Sequence, residues 1–272
     1  MSDKTALGHR MKGYERRESA RKCLSQLPIC ARIDGKRFSR WTSGLARPYD
    51  LRLSKLMEAT TVRLVEETQA LVGYTQSDEI SLLFYSDDPK RQVFLDGRIQ
   101  KMTSILASMA TAYFNAGVLR CIPERAEWPA LFDCRVWSVP TRAEAANAFL
   151  WRERDATKNS LSMAARHYYE HEQLMNCGAD ALHELLFEKG VNWNDYPSFF
   201  KRGTFVRREV VTSTLDVDEI ARLPPRHAAR RDPHVVVQRS RVATFEMPPF
   251  HRVRNREAVL FEGAAPVVTQ ED

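Results

Sequence analysis

The sequence predicts an α+β fold built on an antiparallel sheet, and three observations carry that reading. Over the first 140 residues the patterns run strand, helix, strand, strand, helix, strand. Each of the two helical patterns has one apolar stripe, which needs a sheet to cover it. Two apolar strand patterns also break off into charged residues, at Asp34-Gly35 and at Gln76-Ser77-Asp78-Glu79, as strands do where they reach solvent.

The first strand is the apolar run Pro28 to Ile33, and the first helix starts near Asp50 with Leu53, Leu56, Met57, Thr60, Leu64 and Leu71 on one side. Two β-patterned runs then meet at Gln76 to Glu79, which places Asp78 and Glu79 at the tip of a hairpin. The second helix carries Ile99, Met102, Ile105, Leu106, Met109 and Tyr113, and a last strand spans Leu131 to Val139. Two such helices pack side by side on one face of the sheet, the ferredoxin-like βαββαβ arrangement. Beyond it, Arg142 to Tyr169 reads as helix, Thr204 to Thr212 and Val235 to Phe245 read as strands, and Leu223 to Pro233 is a Pro-rich loop. We divide the chain into a core with an N-terminal extension (1–140) and an appended helical and β region packed on it (141–272).

Bulk properties narrow the function. The chain has 272 residues, 43% of them hydrophobic, and a net charge of +6; no uninterrupted apolar run approaches membrane-spanning length. The basic N-terminus lacks the apolar stretch of a secretory signal, and Asp3, Glu15 and Glu18 argue against a transit peptide, so cytoplasmic residence is expected. Five scattered cysteines (Cys23, Cys30, Cys121, Cys134, Cys177) form no CxxC pair and are read as reduced. Of 41 basic residues, 31 are arginine, whose planar fork binds phosphate oxygens in pairs. Charge alone does not choose between a polyanionic partner and solvated basic faces.

Chemistry concentrates at the strand ends. In a split βαβ sheet the first two strands can be neighbours, so Asp34 and Asp78 converge although 44 positions separate them. Facing carboxylates repel unless a cation or shared proton lies between them. Magnesium answers this, and two such ions can stabilise the attacking and leaving oxygens of a phosphoryl transfer. Gly35 leaves a backbone carbonyl open to a metal. Arg98 and Lys101, at the start of the second helix, could clamp a triphosphate beside the helix N-terminus, and Arg47 in the loop before the first helix is a third cation. Singly, each reads better as a turn, a hairpin tip or a solvated helix end; jointly they match a fold that brings them together, which favours the functional reading.

The motifs RIDGKRF, the Arg47-Pro48 loop, QSDEIS, RIQKMTSILAS, LFDCRVWSVP, FLWRERDATKNSLSM, KGVNWNDYPSFFKRGT and MPPFHRVRNREAVLFEG occur in the order in which the tRNA-histidine guanylyltransferase family shows them. The resemblance runs nearly end to end. It implies a polymerase/cyclase-like palm that adds nucleotides in the 3′-to-5′ direction: ATP or GTP caps a tRNA 5′-phosphate, then the 3′-hydroxyl of an incoming NTP attacks that phosphate. It implies two Mg2+ on Asp34, the Gly35 carbonyl and Asp78, with Glu79 as a further catalytic carboxylate. Nucleotide contacts fall on Asp34, Gly35, Lys36, Arg37, Phe38, Ser39, Ser77 and Asp78. The triphosphate-binding pair falls on Arg98 and Lys101, and Arg47 replaces the activation-step lysine. A homotetramer, or at least a dimer, is implied.

Two departures bear on the substrate. Thr157-Lys158-Asn159-Ser160 stands where histidine-tRNA enzymes carry His-Ile-Asn-Asn, so the chain is more similar to the bacterial- and archaeal-type branch that repairs 5′-truncated tRNA by templated addition. His9 stands where that branch shows Asp. Candidate tRNA contacts are Arg135, Arg152, Lys158, Asn159, Lys201 and Arg202, with Trp151, Arg154 and Arg166 on the same helical stretch. Alternatives are guanylate addition confined to tRNA-histidine, a nucleotidyl cyclase using the same palm, and a non-catalytic RNA-binding protein. His167 to His171 also fits the H-x-x-E-H zinc-peptidase pattern, with Glu184 as a conceivable third ligand.

Overall fold

The computed structural model describes residues 5–24, 26–230, 232 and 236–269. Asp3, Pro233 and Val235, named above, lie outside the described residues. In chain order the elements are α1 (Ala6–Ser19), β1 (Ile29–Gly35), α2 (Phe38–Trp41), α3 (Leu51–Thr68), β2 (Val72–Gln76), β3 (Glu79–Phe84), α4 (Ile99–Cys121) and β4 (Phe132–Ser138). There follow α5 (Arg142–Ala165), α6 (Ala179–Glu188), α7 (Ser198–Arg202), β5 (Thr204–Thr214), α8 (Val217–Arg222), β6 (Val236–Phe245) and α9 (Arg256–Phe261). The expected βαββαβ order is therefore present as β1, α3, β2, β3, α4 and β4.

The strands form one antiparallel sheet in the order β4-β1-β3-β2-β5-β6. Strands of the C-terminal half thus extend the core sheet, with Val72 to Thr75 paired to Arg207 to Thr204. Helix α3 starts where the Asp50 side chain accepts from the Arg52 N–H at 2.9 Å, satisfying one of the open donors of the first turn. It buries Leu56, Met57, Leu64 and Val65 against the sheet, beside Met102, Leu106, Ala110 and Phe114 of α4. Ile105, expected on the apolar stripe of α4, is instead 42% exposed. By length and composition α4 could cross a membrane. Here its buried side is part of the protein's largest apolar cluster, and an ordinary core helix has the same composition.

The expectation of helices on one face holds only for α3 and α4. Helix α5 covers the opposite face, where Ala145, Ala146 and Phe149 pack on Cys30, Tyr74 and Leu83. The strands are accordingly patterned on both sides. Ile29, Ala31 and Ile33 of β1 belong to the α3/α4 side, whereas Arg32 and Asp34 belong to the α5 side, because neighbouring strand residues point to opposite faces. Gly203, between α7 and β5, has φ +76°, and a Cβ there would lie 2.5 Å from the Thr75 carbonyl oxygen, so the bend fits only glycine.

Candidate active site

Register brings the acidic residues together. Asp34 of β1 pairs with Glu79 of β3 on one side and with Asp133 of β4 on the other. Asp78 sits in the two-residue turn between β2 and β3, where Ser77 takes φ 50° and its hydroxyl donates to the Asp78 carboxylate at 3.0 Å. The Gly35 N–H donates to the Asp78 carbonyl at 3.2 Å, which ties the turn to the end of β1. A Cβ on Gly35 would meet Asp78 Oδ2 at 2.8 Å and the Phe38 ring at 2.4 Å. The space above Gly35 is therefore taken by the Phe38 ring and the Asp78 carboxylate, and only a residue without a side chain fits beneath them. Burial pushes the Asp78 carboxyl up, and the charge of Asp34 adds to the shift against the hydrogen bond from Ser77.

A cleft of about 400 Å³ opens at this sheet end. Asp34, Ser77 and Asp78 form one wall, Asp155, Asn159 and Arg166 of α5 a second, and Tyr49, Phe199 and Phe200 close it. Tyr49 packs on Phe199 and Phe200 with ring centroids 5.2 and 4.9 Å apart. Arg47 is exposed in the same loop as Tyr49, and Lys36, Arg37 and Ser39 are exposed just beyond β1. Phe38 is buried, stacked on Trp41 and packed on Phe114 and Phe132, so its ring belongs to the core and only its backbone is open to a ligand.

Several predicted residues take other positions. The Glu79 carboxylate is buried and receives two hydrogen bonds from Arg152, at 2.5 and 2.7 Å, while Arg152 also reaches Asp155 at 2.9 Å. Glu79 therefore faces α5 as the partner of a guanidinium, and Arg152, expected to face RNA, is only 7% exposed. A buried carboxylate needs such a bidentate partner, and this one clamps α5 onto the hairpin. Lys201, also expected to contact RNA, is buried, and its ammonium donates to the Asn194 carbonyl. Lys158 and Asn159 are exposed, as is Arg135, which lies 4.0 Å from Asp34 and 3.6 Å from Asp133.

Arg98 and Lys101 stand at the far end of the sheet. Arg98 bridges Lys22 ahead of β1, and Phe94 stacks on Phe84, the partner of Ile29. The middle of α4, about three turns further on, reaches the acidic side, where the Phe132 N–H donates to the Thr111 hydroxyl at 3.2 Å and Phe132 pairs with Gly35. Five strand positions part Ile29 from Asp34, so the basic pair lies on the order of 17 Å from the carboxylates along the sheet. Within one chain these groups do not meet.

Sequence reading missed Asp133, Tyr49 and Asp155, whereas Arg166, expected on a tRNA-facing stretch, lines the cleft. Asp133 had a visible signal, a lone acid inside the apolar run LFDCRV, but only register shows that it faces Asp34. The histidine pattern dissolves: α5 ends at Ala165 and Glu170 precedes a separate helical turn starting at His171, so the two histidines are not a turn apart on one helix. Among the described residues no group of three His, Cys, Asp or Glu stands ready to hold a metal. All five cysteines are free, and burial raises the Cys30 and Cys134 thiols to about 12. His9 is exposed on α1, and nothing in the structure explains its substitution.

Two aspartates from adjacent strand ends, opening on a cleft of an antiparallel palm, define this protein as a nucleotidyltransferase. Comparison with known proteins gives the family. The family model described as Thg1, tRNAHis guanylyltransferase, matches residues 8–140. A bacterial tRNA(His) guanylyltransferase (Thg1)-like protein solved with ATP is 38% identical, with a TM-score of 0.70 over 74% of this chain and 88% of that one. A second such bacterial structure, solved with GTP, is 32% identical and covers 94% of this chain and 97% of that one with a TM-score of 0.71. The tRNA(His) guanylyltransferase of Saccharomyces cerevisiae is 26% identical over 72% of this chain and 90% of its own length. The chain belongs to the tRNAHis guanylyltransferase (Thg1) family.

Proposed function

We propose that this chain extends the 5′ end of tRNA in the 3′-to-5′ direction and that its substrates are 5′-truncated tRNAs, restored by templated addition. The observation that carries this reading is that Asp34 and Asp78 line one cleft at the end of the sheet, with Gly35 packed directly beneath the Asp78 carboxylate. These hard oxygen donors, with the Gly35 carbonyl, suit magnesium, and a cation beside them would offset both the burial of Asp78 and its repulsion from Asp34. Bound there, two magnesium ions would neutralise phosphate charge as it develops during transfer.

The protein's own residues bind and orient. Lys36 and Arg37, exposed just beyond β1, and Arg47, exposed in the Tyr49 loop, offer ammonium and guanidinium donors to a triphosphate. Ser77 fixes the Asp78 carboxylate, and Arg152 holds the hairpin through Glu79. In the first step a 5′-phosphate oxygen bonds to the α-phosphorus of ATP or GTP and pyrophosphate leaves. In the second the 3′-hydroxyl of the incoming NTP bonds to that 5′-phosphorus and the nucleoside monophosphate leaves. Positioning and charge neutralisation account for what a protein adds to such displacements.

Repair is favoured over a histidine-anticodon role by the 157–160 segment. The Thr157 hydroxyl donates to the Glu153 carbonyl and Ser160 is buried against Trp193 and Lys201, so Lys158 and Asn159 alone of the four are exposed. The similarity to bacterial Thg1-like proteins points the same way. We further propose a homotetramer or dimer. The exposed side of α4, with Ile105 at 42% and Leu119 at 71%, has no charged residue between Lys101 and Arg120, and a second copy could bring its Arg98 and Lys101 to a neighbour's cleft.

The test is incubation with magnesium, ATP, labelled GTP and a 5′-truncated tRNA, with products resolved at nucleotide length. Extension complementary to the opposite strand of the acceptor stem is expected. A single guanylate added only to full-length tRNA-histidine would overturn the repair reading, and a cyclic product from the NTP alone would overturn transfer to RNA.

A further inference from the structure

Beside the catalytic cleft lies a larger cavity, about 650 Å³, which shares Phe199 with it as a common wall. No step described above uses it. Its lining combines three chemistries. Phe199 and Phe245 offer half-buried aromatic surface. Glu153 of α5, 2% exposed, brings a carboxylate whose two oxygens share a single donor, the Phe250 N–H, at 2.9 Å each. A carboxylate has about four acceptor sites, so most of its capacity is unused. Arg202 lines the same space, and its buried Nε has no hydrogen-bond partner.

The rest of the lining is mixed in charge, with Glu246 and a Lys55–Glu58 ion pair, and further arginines stand behind it. Arg154 is exposed next to Glu153 on α5, and Arg256 donates to the carbonyls of Phe250 and His251 at 3.3 and 3.2 Å. The His251 imidazole is held low by partial burial and by the charges of Arg252, Arg154, Arg202 and Arg256 around it. Burial raises the Glu153 carboxyl to about 7 despite two arginines that oppose the shift.

A simple anion would need the guanidinium groups but neither the rings nor the carboxylate, and an acidic peptide would be repelled by Glu153. A single-stranded nucleotide uses all three: its base stacks on aromatic rings, its amino or imino N–H groups donate to a carboxylate, and its phosphate meets arginine. The volume is that of a small-molecule site. We infer that this cavity holds an unpaired nucleotide from the 3′ strand of the RNA whose 5′ end occupies the cleft. The inference rests on the reading of the cleft given above. In a stem whose 5′ end is at Asp34 and Asp78, the unpaired 3′ extension begins one base pair away, and Phe199 separates the two strands.

Two hairpin RNAs test this, one with a single-stranded 3′ extension and one trimmed flush, by fluorescence anisotropy at fixed salt and by 5′ nucleotide transfer. The wild-type protein is expected to bind the extended RNA roughly 5- to 100-fold more tightly, the range of one or two stacked bases. Arg202→Ala and Glu153→Gln are each expected to bring that ratio close to one. Glutamine can still accept from the Phe250 N–H, so the loop stays anchored. Arg154→Ala, at an exposed site, should lower the salt dependence of extended-RNA binding when the titration is repeated over a series of salt concentrations. Equal wild-type binding of both RNAs, or an unchanged ratio in both Arg202→Ala and Glu153→Gln, overturns the inference. Absence of transfer to either RNA contradicts the reading of the cleft, while the binding ratio decides the cavity independently.

Discussion

The two faces of one strand divide the labour of this molecule. On the α3/α4 side of β1, Ile29, Ala31 and Ile33 are at most 1% exposed and pack on apolar side chains throughout. On the α5 side, Arg32 and Asp34 stand beside Ser81 and Glu79, and Arg152 of α5 closes over Glu79. The same backbone serves both, because the side-chain period of a strand is two. The first face supplies hydrophobic stability. The second spends stability on buried charges that must be paired, and gains a cleft whose carboxylates are held at fixed positions.

Substitutions on either face sharpen this contrast. Asp34→Ala should reduce transfer by more than about a thousandfold while the fold survives, since its nearest ion-pair partner, Arg135, is 4.0 Å away. A product assay alongside circular dichroism checks both halves. Leu64→Ala, on the apolar side, should cost about 2–5 kcal/mol in a denaturant titration yet leave transfer by the folded fraction intact. Arg152→Ala crosses the division: losing one partner of a buried pair costs about 3–5 kcal/mol and should also lower kcat, whereas Arg152→Met combined with Glu79→Gln should recover most of the stability.

The pH dependence follows from Asp78. Its folded-state carboxyl is raised above the ordinary aspartate value, so its contribution favours folding at low pH and is lost as pH rises through the shifted value. Without magnesium, Asp78→Asn should therefore raise the melting temperature at neutral pH and leave it unchanged below the normal aspartate range. The smallest effect is expected at Lys158→Ala, a few-fold loss of tRNA affinity with the salt slope reduced by about one.

How much of this was legible in the sequence follows from the same contrast. Apolar periodicity marked β1, α3, β2, β3, α4 and β4 because local patterns report burial. The aspartates stood out because each interrupts such a pattern at a strand end. Register was not legible, and register alone shows that Asp133 faces Asp34 and that Glu79 meets Arg152 from α5. Arg152 and Lys201 read as RNA-facing because a buried, paired cation has the same letter as an exposed one. Arg98 and Lys101 were placed with the carboxylates because a helix start suits phosphate, although the direction of α4 carries them to the other end of the sheet.

The proposed chemistry requires a cation between Asp34 and Asp78. The most direct test is titration of Mn2+, as a paramagnetic stand-in for magnesium, into the protein with a non-hydrolysable GTP analogue, followed by electron paramagnetic resonance. Wild type and Asp133→Asn are expected to bind the ion alike, while Asp34→Asn and Asp78→Asn lose most of that binding. Undiminished Mn2+ binding in Asp34→Asn and Asp78→Asn would contradict the account, because the convergence of these two carboxylates would then hold no metal.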